Sequence, residues 1–166
     1  MLELHFQLKG HEGGDDAVRV DNHIDIDRSA ADVFAYVSDQ LNAPLWQSGL
    51  IKVTRSTPGP IGVGTRHTFV RRVAGRRILG DNEYHEFDPG HKVAFKFGSE
   101  SMAGTGSYEV EPLSPGRTRL HTSVEIHPRG LARLAEPLIS RSIKKEDNVD
   151  LASLKELLEQ ADHTLT

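Results

Sequence analysis

Apolar and polar side chains begin to alternate at the second residue. Leu2, Leu4, Phe6 and Leu8 interleave with Glu3, His5, Gln7 and Lys9, the period of a strand with one buried face. The run ends in the turn-rich stretch GHEGGDD. Two readings stay open for it, an extra edge strand or residues foreign to the domain. Residues 1–17 are therefore set apart as an N-terminal extension and residues 18–162 as the domain. From Val18 the alternation resumes, with Val18, Val20, Ile24 and Ile26 on one face and Arg19, Asp21 and Asp25 on the other. The period then changes. DRSAADVFAYVSD reads as a helix, with Ser29 as N-cap, Asp32 three residues on, and Val33, Phe34 and Val37 as its apolar stripe. Pro44 and Gly49 bracket a second short helical turn or loop carrying Leu41, Leu45 and Trp46.

Strand-like runs follow at Gly49–Ser56, Gly64–Val73, Arg77–Phe87, Lys92–Phe97, Ser101–Glu111 and Arg117–Ile126, parted by PGPIGVG, AGR, DPG, GSES and PLSPG. Such short connections make neighbouring strands antiparallel. A long helix closes the chain, with Ile143, Leu151, Leu154 and Leu158 on one face. Leu131, Leu134 and Leu138 fall nearly opposite that face at about 100° per residue in a straight helix. A kink or break at Pro137 would let both stripes meet the same sheet. The expected fold class is α+β: a curved antiparallel sheet of about seven strands wrapped around a long C-terminal helix, with two short helices after the first strand.

The 166 residues suffice for one domain with a real core. The absence of cysteine excludes disulfides, thiolate nucleophiles and Cys-based metal sites. A formal net charge of −4 supplies no field for general nucleic-acid binding. No apolar run is long enough to cross a bilayer, and the N-terminus lacks the pattern of a secretory signal, so a cytoplasmic protein without membrane insertion is expected.

Five stretches taken in order, AADVFAYVSDQLNAPLW, GVGTRH, EYHEFDPGHKVAF, SYEVEPLSPGRTRLHTSVEI and LASLKELLE, resemble the successive signatures of the START-like helix-grip (SRPBCC) superfamily. More narrowly they are similar to its polyketide cyclase/dehydrase branch. The resemblance runs from about Val18 to Glu159. It implies a cavity between sheet and C-terminal helix, but not one function, since the fold hosts lipid carriers, ligand binders, aromatase/cyclases and chaperone co-activators. It also implies a place for Trp46, the only tryptophan, at the end of the short-helix pair that closes one end of the cavity. There the ring serves as pocket wall, as corner plug, or as both.

Candidate chemistry is sparse. His85/His91 and His121/His127 have no metal-ligand spacing, so neither a metal nor a cofactor is expected. His67 shares a strand face with Thr65, Phe69 and Val73. An inward Phe69 makes His67 a candidate proton shuttle or polar anchor, the alternative being a ring satisfied by a backbone carbonyl or by solvent. Tyr84 is a candidate to bind a carbonyl or hydroxyl, or else a core aromatic. These two are also the candidate catalytic pair, with Arg66 or Arg71 holding an enolate if the register turns one of them inward. Met102, Gly104 and Gly106 lie in line with Tyr108 and Val110, and the glycines leave volume for a cavity unless they mark a bulge or a close helix approach. On 117–126 the inward set is Leu120, Thr122, Val124 and Ile126. The arginines 71, 72, 76 and 77 form a basic hairpin read mainly as solvated surface.

The expected ligand-binding residues are Trp46, His67, Phe69, Tyr84, Phe95, Phe97, Tyr108, Thr122 and Leu138. The partner they point to is a hydrophobic small molecule such as a lipid, a polyketide or an aromatic polycycle. The alternatives are a cyclase/dehydrase-type enzyme using the same cavity and a protein-interaction module with a solid interior. A homodimer through the N-terminal strand is a further expectation.

Overall fold

A computed structural model describes residues 17–73, 75–130 and 136–160. The N-terminal alternation, with the dimer it suggested, and Leu131 and Leu134 lie outside them.

The chain runs β1 (Val18–Ile26), α1 (Ala30–Ser38), a 3₁₀ helix (Gln40–Leu45), β2 (Leu50–Arg55), β3 (Arg66–Val73), β4 (Arg76–Asp88), β5 (Lys92–Ser99), β6 (Met102–Ser114), β7 (Arg117–Pro128) and α2 (Glu136–Gln160). The seven strands form one sheet in the order β1-β7-β6-β5-β4-β3-β2, and every neighbouring pair is antiparallel. From β2 to β7 the strands follow one another through short turns. The two short helices lead the chain across from one edge, β1, to the other, β2.

Local chemistry accounts for these boundaries. Ser29 caps α1, its hydroxyl oxygen accepting from the Asp32 N–H at 3.2 Å. Asp39 then caps the 3₁₀ helix by accepting from the Leu41 N–H at 3.1 Å. β1 buries Val18, Val20, Asn22, Ile24 and Ile26, one face of a period-two strand. β4 departs from strict alternation. Its pairing with β5 shifts between Tyr84 and Glu86, so His85 is the extra residue of a bulge. Glu86, which unbroken alternation would carry inward, instead pairs with Lys92 at 3.1 Å. Phe87 takes the inward place and stacks on Tyr84 at a centroid distance of 6.4 Å.

The core lies where the C-terminal half of α2 meets the sheet. Leu151 and Leu154 are fully buried against Ile26, Val33, Tyr84, Val93, Val110 and Leu120. The helix end is pinned by polar bonds: Lys155 Nζ donates to the Asp25 carbonyl at 2.6 Å, and Arg28 Nε to the Leu158 carbonyl at 2.6 Å. Pro137 is the second described residue of α2. The kink expected at Pro137 turns on residues 131–135, which lie outside the described residues. Leu138, expected on a stripe facing the sheet, is 71% exposed.

Candidate functional site

The N-terminal half of α2 stands off the sheet and leaves a cavity of about 650 Å³. Its floor is built from β3, β5, β6 and β7, its roof from Leu138, Ile143 and the residues around Glu146, and one end from the 3₁₀ helix and Trp46.

The floor depends on paired phenylalanine and glycine. Phe69 lies opposite Gly80, and Phe95 and Phe97 lie opposite Gly106 and Gly104. A Cβ on Gly106 would come within 2.7 Å of the Phe95 ring, and one on Gly80 within 2.4 Å of the Phe69 ring. The glycines thus hold no empty volume directly above themselves. They let each ring lie down across the neighbouring strand instead of standing upright, and this keeps the space above the sheet open. Trp46 caps the 3₁₀ helix, its backbone N–H donating to the Ala43 carbonyl at 3.2 Å. Its ring is 6% exposed and meets Tyr108 edge-on at 5.9 Å. A residue in the break between two elements is thereby both corner plug and cavity wall.

Polar groups gather at the Trp46 end and along α2. Arg71 Nη2 donates to Glu146 Oε1 at 2.7 Å, and Gln47 Nε2 donates to the Tyr108 hydroxyl at 3.0 Å. Asp150 accepts from the Ser48 N–H at 2.9 Å and from its hydroxyl at 2.8 Å. Asp147 accepts from Asn22 Nδ2 at 2.9 Å. Burial pushes the Asp147 carboxyl up against the effect of the Asn22 bond. It pushes Asp150 up likewise, opposed by Ser48 and Arg71. Burial also raises the Tyr108 hydroxyl to about 12, so it is a neutral phenol at physiological pH. Gln40 borders the cavity and is 4% exposed, but its amide nitrogen is shut off from the open space and lies beside the Tyr108 and Tyr84 hydroxyls, favouring the ionised form of both phenols against burial.

Of the residues expected to contact a ligand, Trp46, Phe69, Phe95, Phe97, Tyr108, Thr122 and Leu138 line this cavity. His67 and Tyr84 lie behind its wall. His67 is inward and fully buried, with Nδ1 donating to Asn82 Oδ1 at 3.0 Å while Nε2 has no partner. Burial holds its pKa down against the Asn82 bond, and Asn82 stands between it and the cavity. The Tyr84 hydroxyl donates to the Ser38 carbonyl at 2.7 Å, and burial pushes its pKa far up.

Arg71 leaves the basic hairpin and turns inward, whereas Arg66 points out and pairs with Glu83 at 2.8 Å. The alternation His67, Phe69, Arg71 carries the signal that separates Arg71 from its neighbours. Asp147 and Asp150 were not anticipated, although a signal was present: with Ile143 and Leu154 they continue an i, i+4, i+7, i+11 stripe, two acids on the inward face of an amphipathic helix. Gln40 and Gln47 carried no comparable signal, because the 3₁₀ helix and the loop after it obey neither period.

Among the described residues no group of three or more histidines and acids is arranged to hold a metal ion, and no helix is long and apolar enough to cross a membrane. On the outer face of the sheet an open depression of about 450 Å³ is bordered by the charged side chains of Arg66, Asp81, Glu83 and Lys96. It lacks the apolar floor of the inner cavity.

Curated relatives include uncharacterized proteins of Mycobacterium tuberculosis and Mycobacterium bovis, each 28% identical over 132 residues, which cover 75% of this chain and 77% of theirs. Among solved structures, the Zhui aromatase/cyclase of a Streptomyces species superposes with a TM-score of 0.76 at 16% identity, covering 87% of this chain and 94% of that one. A START superfamily protein of Mycobacterium smegmatis superposes at 0.75 and 12% identity, with 86% and 98% covered. At such identities these are likenesses of fold. The family model described as polyketide cyclase / dehydrase and lipid transport matches residues 17–159, and the chain belongs to that family.

Proposed function

We propose that the protein binds a hydrophobic small molecule, a lipid, polyketide or aromatic polycycle, in the cavity between sheet and α2. The observation that carries this reading is the cavity itself: about 650 Å³ over a floor of flattened phenylalanine rings, with Gln47, Tyr108, Arg71 and the α2 carboxylates among its few polar groups. Ligand sites generally combine an apolar surface with a few convergent polar groups. A module that only contacts other proteins has no need of such an interior, and the open volume favours ligand binding over that alternative.

Turnover of the cyclase/dehydrase kind has less support from the geometry. His67 and Tyr84 are both behind the wall, and the groups that do face the cavity are a high-pKa phenol, amides, carboxylates already hydrogen-bonded, and the Arg71 guanidinium, the candidate enolate holder, which is paired with Glu146. Native mass spectrometry of freshly purified protein, followed by denaturing extraction, tests the reading. A co-purifying apolar molecule that alters Trp46 fluorescence on rebinding is the expected result. A protein that arrives empty, and whose Trp46 emission and melting temperature ignore a broad panel of lipids and polycyclic aromatics, would refute it.

A further inference from the structure

The ends of β3, β5 and β7 and the starts of β4 and β6 lie on one side of the sheet. Val73 and Ile78 of the β3–β4 hairpin, Ser99 and Ser101 of the β5–β6 turn and Leu138 of α2 border the cavity there. The hairpin projects beyond its neighbour. β4 pairs with β5 only from Gly80, opposite Ser99, so no strand of the sheet pairs with residues 76–79 on that side and the tip stands clear.

This tip is cationic. Arg72, Arg76 and Arg77 are exposed, and Arg72 lies directly opposite Arg77 in the ladder, a like-charge pairing that costs stability. Arg19, Arg66, Arg71, Arg117 and Arg119 each pair with a carboxylate, but among the described residues none pairs with the three hairpin arginines. Arg129, just after β7, and Arg141 of α2 add exposed cations, and Glu100 is the acid of the β5–β6 turn. The chain as a whole carries a formal charge of −4, so this end runs against the overall sign. It is also apolar. Leu79 on the hairpin, at 73%, and Leu138, at 71%, are the two most exposed large apolar side chains among the described residues.

Cations beside exposed leucines match a bilayer surface that contains anionic phospholipid: guanidinium forks take phosphate, and leucines reach the acyl boundary. An acidic protein satisfies the charge. An apolar phase at the opening also lets a water-insoluble ligand enter the cavity without crossing water.

We propose that the β3–β4 hairpin and the start of α2 dock the protein peripherally on anionic membranes, with the cavity mouth turned to the lipid. The proposal goes beyond the ligand-binding reading, and its test needs no identified ligand.

The test is flotation of the intact protein with vesicles of phosphatidylcholine containing phosphatidylglycerol. The protein should float with these vesicles but not with pure phosphatidylcholine, and added salt should release it. Arg76→Gln/Arg77→Gln should weaken binding about tenfold, the order expected for two cations at an anionic surface. Arg66→Gln/Arg117→Gln removes the same charge at the opposite ends of β3 and β7 and should stay within about twofold of the wild type. Because the chain has no cysteine, a polarity-sensitive dye on Leu79→Cys reports orientation. Its emission should move to the blue on vesicles, while the same dye on Ser153→Cys, exposed in the C-terminal half of α2, should not move. No binding to the anionic vesicles, equal losses in the two double variants, or an unmoved dye on Leu79→Cys would each overturn the docking and leave the ligand reading intact. A protein that ignores the vesicles yet binds polyglutamate through the hairpin arginines would equally overturn it, assigning the tip to an acidic protein partner.

Discussion

Tyr84 shows how a single hydroxyl can be occupied entirely by architecture. Its ring is fully buried, with the Phe87, Phe95 and His67 rings around it, and its O–H closes on the Ser38 carbonyl at the end of α1. Tyr84→Phe should therefore cost roughly 1–3 kcal/mol of stability in urea unfolding, the range for leaving a buried acceptor unpaired. Affinity for a cavity probe should stay within about twofold. A loss of affinity with stability unchanged would instead return Tyr84 to the binding site. In the sequence, alternation put Tyr84 on the face of Asn82 and His67 on the face of Phe69, and left open whether the His67 face turned inward or to solvent. Whether an inward residue meets a ligand or a neighbouring ring was not legible. That depends on what lies above it, and above Tyr84 the closed core of α1 and α2 leaves no space.

Among the elements, strands and helices followed the hydrophobic period closely, and each strand boundary was readable to within a few residues. What the period does not contain is pairing. The three phenylalanine–glycine pairs exist only once β3 is registered on β4 and β5 on β6, contacts between positions far apart in the chain. They make a sharp prediction. Gly106→Ala would set a methyl against the Phe95 ring, and overpacking of this kind costs roughly 1–3 kcal/mol. With the ring forced upright into the cavity, affinity for a bulky probe should drop at least about tenfold. Gly98→Ala is the matched control, since its Cβ would meet only Asp81 Oδ1 at 3.8 Å, and it should be near neutral in both assays. Equal losses in the two variants, by thermal melting and equilibrium dialysis, would mean that the flattened rings do not define the floor. The bulge at His85 belongs to the same class of facts. Local alternation carries Glu86 inward, and only the ladder with β5 inverts it.

For the molecule as a whole, α2 closes the core over one half of the sheet and bridges the cavity over the other. The Arg71–Glu146 pair and the Ser48–Asp150 bonds tie its middle to β3 and to the loop before β2. Both side chains of the ion pair are about a quarter exposed, so its contribution to stability is modest, at most about 1 kcal/mol. Its position across the opening suggests a larger effect on ligand exchange. Arg71→Met should leave the melting temperature within a few degrees, while stopped-flow mixing shows a bound probe leaving several-fold faster; unchanged exchange would make the pair a surface ornament of the fold. The sequence by itself determined the element order, the inward face of nearly every strand and the family, because hydrophobic period, caps and turn residues act over a few neighbouring positions. Only the tertiary structure decided which inward residues border open space, which rings lie flat, and that Gln40, Tyr108, Arg71 and two helix acids share one end of a cavity. Those relations are set by strand register and by the angle at which α2 leaves the sheet, contacts made between residues tens of positions apart.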